Sequence, residues 1–333
     1  MLRYTSWYMK NILEIIKKKK TQFDDLKPFS KTFQSNMEEW YKIELTYTSN
    51  AIEGNTLTRQ ETALVVEKGI TVEGKTIVEH LEAINHAKAY KYIQSLKLDN
   101  ITKITKQIIL KIHETILQNI DSQNAGRYRN VPVRIAGSTV ILPNPLKVPD
   151  LMEQFVNWLH NSKKTLPEIA IEAHLKFVSI HPFADGNGRT ARLLMNLVLL
   201  TGGYPPVIIS NKNRKQYIDS IEKVQLIGDL SDYEIFMLKS IEKSFDNFLG
   251  IIELKEKNIK TEIKLIKIGE LAKETKETVV TIRYWTKMGL LKVTKYTEGG
   301  YQLYSPDAIK QVKKIRKLQK EKRLTLAELK GII

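Results

Sequence analysis

Residues 181–200 read HPFADGNGRTARLLMNLVLL. From Leu193 onward the run is apolar almost all round, the pattern of a helix buried in a core. Yet its first turns carry Arg189 and Arg192, neighbours on one face. The preceding Asp185-Gly186-Asn187-Gly188 is a turn that only small residues make, and it runs straight into the helix N-terminus. Backbone N–H groups point outward there and the helix dipole adds about half a positive charge, so such a place binds anions. Two arginines buried without partners would each cost several kcal/mol. A polyphosphate satisfies the turn, the dipole and both guanidinium groups together. Asp185 then reads as a hard oxygen ligand for Mg2+, an ion that keeps several waters and bridges phosphates. His181, with an ordinary pKa of about 6.5, suits a general base at neutral pH.

The rest of the chain frames this site. Its 333 residues suffice for two or three domains. No apolar run approaches the ~20 residues of a membrane span, and the N-terminus lacks a signal-peptide pattern. With no cysteine in the sequence, disulfides, thiolate metal sites and cysteine nucleophiles are excluded. The expectation is a soluble, cytoplasmic protein with no membrane association. Net charge is +16, and residues 261–333 hold 17 Lys/Arg against 8 Asp/Glu. That asymmetry points to a nucleic-acid-binding tail domain.

Helical spacing runs through Glu38 to Thr48, Val78 to Leu96 and Ile101 to Ile120. Residues 126–149 change character, with five Pro or Gly positions from Pro132 to Pro149 and two alternating segments about Ala136-Gly137-Ser138, the pattern of a short β-hairpin. Helices resume over Asp150–Asn161 and Pro167–Ile180 and continue to about Leu254. The expected organisation is a helical region over 1–100, a catalytic core over 101–250, a charged linker over 251–262 and a basic module over 263–333.

The run His181-Pro182-Phe183-Ala184-Asp185-Gly186-Asn187-Gly188-Arg189-Thr190-Ala191-Arg192 resembles the full signature of Fic proteins, H-x-F-x-[D/E]-G-N-G-R-x-x-R. The likeness extends to the lead-in Gly126-Arg127-Tyr128-Arg129 and covers roughly residues 35–245. It implies a mainly α fold, an all-α core with a small β-hairpin flap. It also implies transfer of AMP from ATP to a Tyr, Ser or Thr hydroxyl of a target protein. On that likeness His181 is the base, Asp185 holds Mg2+, and Gly186, Asn187 and Gly188 form the anion hole. Arg189 and Arg192 hold the outer phosphates. The flap residues Arg134, Ile135, Ala136, Gly137, Ser138, Thr139, Val140 and Ile141 would take the target segment by strand addition.

A second stretch, Thr48-Ser49-Asn50-Ala51-Ile52-Glu53-Gly54-Asn55, reads locally as a helix C-terminus with Gly54 left-handed. It is also similar to the inhibitory motif [S/T]-x-x-x-E-[G/N] of Fic proteins. The resemblance implies that Ser49, Glu53 and Gly54 form an autoinhibitory element in which Glu53 pairs with Arg192. In some relatives the same glutamate serves removal of AMP, so addition and removal both stay open.

The basic segment reads as helix, turn, helix and wing. Its I-G-x-L-A, T-I-R-Y-W, G-L-L and G-Y-x-x-Y-S elements resemble the DNA-binding domain of MerR-type regulators, and Leu324 to Lys330 continues the likeness. Arg283, Tyr284, Lys287, Lys295 and Tyr301 are the expected DNA contacts. Gln302 stands where those regulators carry arginine. Because they bind as dimers, a homodimer is expected. Two other functions fit the same residues: a transcriptional regulator using the Fic fold as a nucleotide sensor, and transfer of a different phosphate-containing group.

Overall fold

Leu193, Leu194, Met195, Leu197, Val198 and Leu199 are all buried, so the apolar run is the central helix of its unit. The structure is a computed structural model that describes residues 2–260, 265–297, 299–322 and 328. The chain forms two units, Met1–Leu249 and Gly250–Ile333. The first is built from α1 (Leu2–Asp25), α2 (Lys31–Ile52), α3 (Arg59–Ala63), α4 (Ile77–Ser95), α5 (Lys106–Leu117), α6 (Val148–Asn161), α7 (Leu166–Ile180), α8 (Asn187–Thr201), α9 (Arg214–Ile227) and, up to Leu249, α10 (Ser231–Lys260).

Helix α8 is packed by α7, α5, α4 and α2. Each neighbour starts at a capping residue: Ser30 for α2, Thr76 with Glu79 for α4, Thr105 for α5 and Thr165 with Glu168 for α7. These side chains satisfy first-turn N–H groups that would otherwise lack partners. Asn196, buried in the middle of α8, holds the returning chain by accepting from the Val207 amide at 2.7 Å and donating to its carbonyl at 3.1 Å. Because α2 and α4 belong to the shell around α8, residue 100 is not a boundary between folding units. Residues 251–260 continue α10 as helix, where the charge pattern suggests a linker. Residues 261 and 262 lie outside the described residues.

The flap departs from expectation. Among the described residues, no backbone bond joins its two arms beyond the turn Ser138 N–H to Ile135 carbonyl at 3.1 Å. Residues 132–135 and 138–144 have no strand assignment. Pro132, Pro143 and Pro145 lack the N–H groups that a ladder would use. The flap is therefore an open loop, and all β structure among the described residues lies in the second unit.

That unit comprises β1 (Ile266–Lys267), α11 (Ile268–Thr275), α12 (Val279–Lys287), β2 (Lys295–Tyr296), β3 (Gln302–Tyr304) and α13 (Asp307–Lys322). Its sheet is antiparallel, in the order β1-β3-β2. Ile266 pairs with Tyr304 and Tyr296 with Gln302. Leu271, Ile282, Trp285, Leu290, Leu291, Tyr304, Val312 and Ile315 form its own core. Arg316 stacks on Trp285 at 4.8 Å while pairing with Glu277. Gln302 is part of this framework: its Oε1 accepts from the Tyr304 hydroxyl at 2.8 Å. The expected likeness over Leu324 to Lys330 falls almost wholly outside the described residues.

Candidate active site

Helix α7 ends at His181, whose backbone is left-handed at φ 50°, ψ 60°. A side chain at that conformation is strained and persists where its surroundings over-determine it. The His181 amide donates to Phe177 at 2.9 Å, and its carbonyl accepts from Arg129 Nε at 2.8 Å. Its Nδ1 lies 3.3 Å from the Val178 carbonyl. A carbonyl only accepts, so Nδ1 carries the proton and Nε2 holds the lone pair. Burial pushes the imidazole below the usual histidine pKa, against the pull of the Val178 bond. The ring is therefore a neutral base at pH 7.

The turn that follows is tied down from behind. Asn187 does not turn its side chain toward an anion: Oδ1 accepts from the Phe183 amide at 3.0 Å and Nδ2 donates to the Phe183 carbonyl at 2.9 Å. Phe183 is fully buried and stacks flat on His113, with ring centroids 3.5 Å apart. His113 accepts from the Gly126 amide at Nδ1 and donates from Nε2 to the Asp185 carbonyl at 2.9 Å. Burial pushes its pKa down to about 4, which keeps that tautomer neutral. Gly186 caps α8 at φ 74°, and a Cβ there would press on the His113 ring at 3.3 Å. The carboxylate of Asp185 is exposed, with Oδ2 3.1 Å from Arg189.

The two arginines have different surroundings. Arg192 reaches α2: Nε donates to Ser49 Oγ at 2.9 Å, and Nη2 donates to the Ser49 carbonyl at 2.9 Å and to Glu53 Oε1 at 2.7 Å. Glu53 is the C-cap of α2, and Gly54 follows at φ 103°. A Cβ built on Gly188 would lie 2.3 Å from Glu53 Oε1, so the carboxylate rests directly over the first turn of α8. Arg189, by contrast, is buried between Glu82 of α4 at 2.7 Å and Asp185. It does not stand open to phosphate as the sequence suggests, because α4 supplies an acid that its periodicity does not advertise. Glu82 also accepts from Asn55 Nδ2 at 2.8 Å. The inhibitory-type turn and the second half of the motif thus share one carboxylate.

A cavity of about 180 Å³ collects the chemistry. His181, Gly188, Arg192 and Glu53 line one side, and Ile135, Ala136, Gly137 and Ser138 line the flap side. Tyr217, Ile218, Ile221, Glu222 and Gln225 of α9 complete the wall. Ser138 Oγ donates to Glu222 at 2.6 Å, and Val140 donates to Ser138 Oγ. Arg134, Thr139 and Ile141 are exposed, Ile141 almost completely. The Tyr217 hydroxyl donates to Nε2 of His174, whose Nδ1 donates to Tyr233. Burial keeps His174 neutral, with its pKa pushed down to about 3.

Three contributors escape sequence reasoning: His113, Glu82 and Arg129. His113 had a weak signal, as a polar residue on the apolar face of its helix, and Arg129 had one in the lead-in Gly126–Arg129; Glu82 had none. In the second unit, Arg283, Tyr284, Lys287, Lys295 and Tyr301 are all exposed.

A buried helix with a strapped-down glycine turn, a neutral histidine beside it and an open flap define the class of fold. Residues 103–199 match the Fic/DOC family and residues 266–333 match the MerR HTH family regulatory protein model. A Fic-1 fragment from C. elegans superposes with TM-score 0.70 at 31% identity, over 76% of each chain. A Fic domain containing signalling protein from Bacteroides thetaiotaomicron superposes with TM-score 0.63 at 27% identity, over 70% of this chain and 94% of that one. Protein adenylyltransferase Fic from Nematostella vectensis is 38% identical over 207 residues, which is 61% of this chain and 48% of that protein. The chain belongs to the Fic/DOC family. It spans about half the length of the curated relatives it matches.

Proposed function

We propose that this chain is a protein adenylyltransferase that transfers AMP from ATP to a Tyr, Ser or Thr hydroxyl of another protein, and that Glu53 holds it off. The observation that carries the reading is one cavity lined by His181, Gly188, Arg192 and the flap. The target hydroxyl oxygen attacks the α-phosphorus, His181 Nε2 takes its proton, and pyrophosphate leaves in line. The N–H groups of the first turn of α8 stabilise charge on the phosphates, and positioning supplies much of the remaining rate. Arg192 holds the terminal phosphate once Glu53 releases it. Arg189 acts from behind, fixing the turn through Glu82 and Asp185. The flap arms, which form no ladder with each other, take the target segment by main-chain bonds.

The residues fit a magnesium ion held largely by its substrate. Asp185 offers one exposed carboxylate with Oδ1 uncommitted, and no cluster of three metal-ligating side chains occurs among the described residues. Mg2+ bound there with phosphates and waters would neutralise charge on the leaving group.

The second unit is proposed to bind DNA through α12 and the wing, on the strength of its exposed Arg283, Lys287, Lys295 and Tyr301. Palindromic half-sites would call for a homodimer.

Autolabelling with α-32P-ATP and Mg2+ tests the enzymatic reading. Label is expected in Glu53→Gly, little in the wild type and none in Glu53→Gly/His181→Ala. No label in Glu53→Gly, with ATP bound, would sink it in favour of a sensor or of a different transferred group.

A further inference from the structure

One buried guanidinium joins the base to the flap. Arg129 is 4% exposed, and all the partners of its side chain are main-chain carbonyls. Nε donates to His181 at 2.8 Å, Nη1 to Val131 at 3.3 Å and Nη2 to Pro143 at 2.6 Å. Its own amide donates to the Pro182 carbonyl at 2.9 Å. A cation buried without a counter-ion is costly, and an apolar residue would fill the same volume at less expense.

What the three carbonyls have in common is position. Val131 and Pro143 are the two ends of the flap, and Arg134 to Ile141 lie between them. The arms have no ladder of their own, so their separation is set at this neck. The third carbonyl belongs to His181, whose left-handed backbone needs outside support. A guanidinium is planar and presents its donors in a fixed fork, whereas lysine offers a point charge on a flexible stem.

We propose that Arg129 is a positioning residue that registers the flap against His181, so that a hydroxyl carried on the flap arrives at Nε2. This rests on the adenylyltransferase reading. Arg129 is absent from the cavity wall, so it acts through the two main-chain segments it joins and not on the nucleotide.

The test uses the full chain in the Glu53→Gly background and compares Arg129→Lys with Arg129. Three quantities are read: binding of a fluorescent ATP analogue, AMP released to water, and label transferred to a Glu53→Gly/His181→Ala copy. Water needs no flap. Misplacement by about 1 Å costs on the order of 100-fold, so transfer to protein should fall by about that factor while AMP release falls far less. Analogue binding should stay within about twofold of the parent, since the guanidinium lies outside the nucleotide wall. Equal losses in both reactions would overturn the proposal, as would unchanged transfer to protein. Pro143→Gly keeps the guanidinium but slackens the neck, so it should give the same selective loss even if Arg129→Lys does not fold. If Glu53→Gly itself transfers no label, the parent reading has failed instead.

Discussion

Replacing Glu53 by alanine removes one carboxylate and leaves the end of α2 otherwise intact. That end is held independently, by Arg214 Nε on the Ile52 carbonyl at 2.6 Å and by Asn55 on Glu82 and Glu79. The lost contact is the 2.7 Å bond from Arg192 Nη2 to Glu53 Oε1. The Arg192 side chain is 6% exposed and that of Glu53 is 37% exposed. A hydrogen bond between charged groups contributes about 1.5–3 kcal/mol, and the exposure of Glu53 places this one in the lower half of that range. The productive pose requires the pair to open, and each 1.4 kcal/mol is a factor of ten, so the variant should transfer about 10- to 40-fold faster at saturating ATP. The assay is the initial rate of label incorporation from α-32P-ATP. Glu53→Gln, which keeps the shape and loses the charge, should fall between. Adding Arg192→Ala should erase the gain, because the group that Glu53 occupies is then gone. Equal rates for wild type and Glu53→Ala, with both binding ATP, would refute the reasoning. So would a gain that survives Arg192→Ala.

Other outcomes follow from the same geometry. Gly188→Ala would place a Cβ 3.0 Å from Arg192 Nη1, in the space that Glu53 vacates over the first turn of α8, so it should abolish labelling even beside Glu53→Gly, as read on the same gels. His86, His113 and His174 are buried neutral, with pKa values pushed down to about 3, about 4 and about 3. The unfolded chain therefore binds more protons, and their contribution to stability is complete above about pH 6.5 and is lost as pH falls toward those values. Urea titrations at pH 7 and pH 5 should differ by about 2 kcal/mol per histidine. For the second unit, Arg283→Glu and Lys287→Glu should weaken DNA binding across all sequences and each lower the salt-dependence slope by about one, measured by fluorescence anisotropy.

The central helix, the turn before it, the position of His181 beside that turn and the helix end at Glu53 were legible in local sequence. Their signals are short-range. Gly186 is demanded by a left-handed cap, Leu193 to Leu199 by burial all round, and His181 to Arg192 by one continuous motif. The winged module was legible for the same reason, since its turns and core residues lie within a few dozen positions. The flap was misread because alternation predicts which side chains share a face and not whether two arms bond, and the prolines remove the donors. Gln302, standing where MerR-type regulators carry arginine, accepts from the Tyr304 hydroxyl two residues along the same strand.

What tertiary structure alone decided is where the charges end up. Arg189 and Arg192 look equivalent in sequence, one turn apart on one helix. Folding sets Glu82 of α4 against the first and Ser49 with Glu53 of α2 against the second. Those partners lie 107 and 139 residues away; the likeness of Ser49 to Gly54 to the inhibitory motif implied the second pairing, and nothing in the sequence marked the first. The same holds for Arg129, whose three carbonyls come together only when α7 and the flap are in place. A sequence specifies which groups must be satisfied once buried; the packing of distant helices specifies which partners satisfy them, because pairing energy depends on distance and exposure that only the folded chain sets.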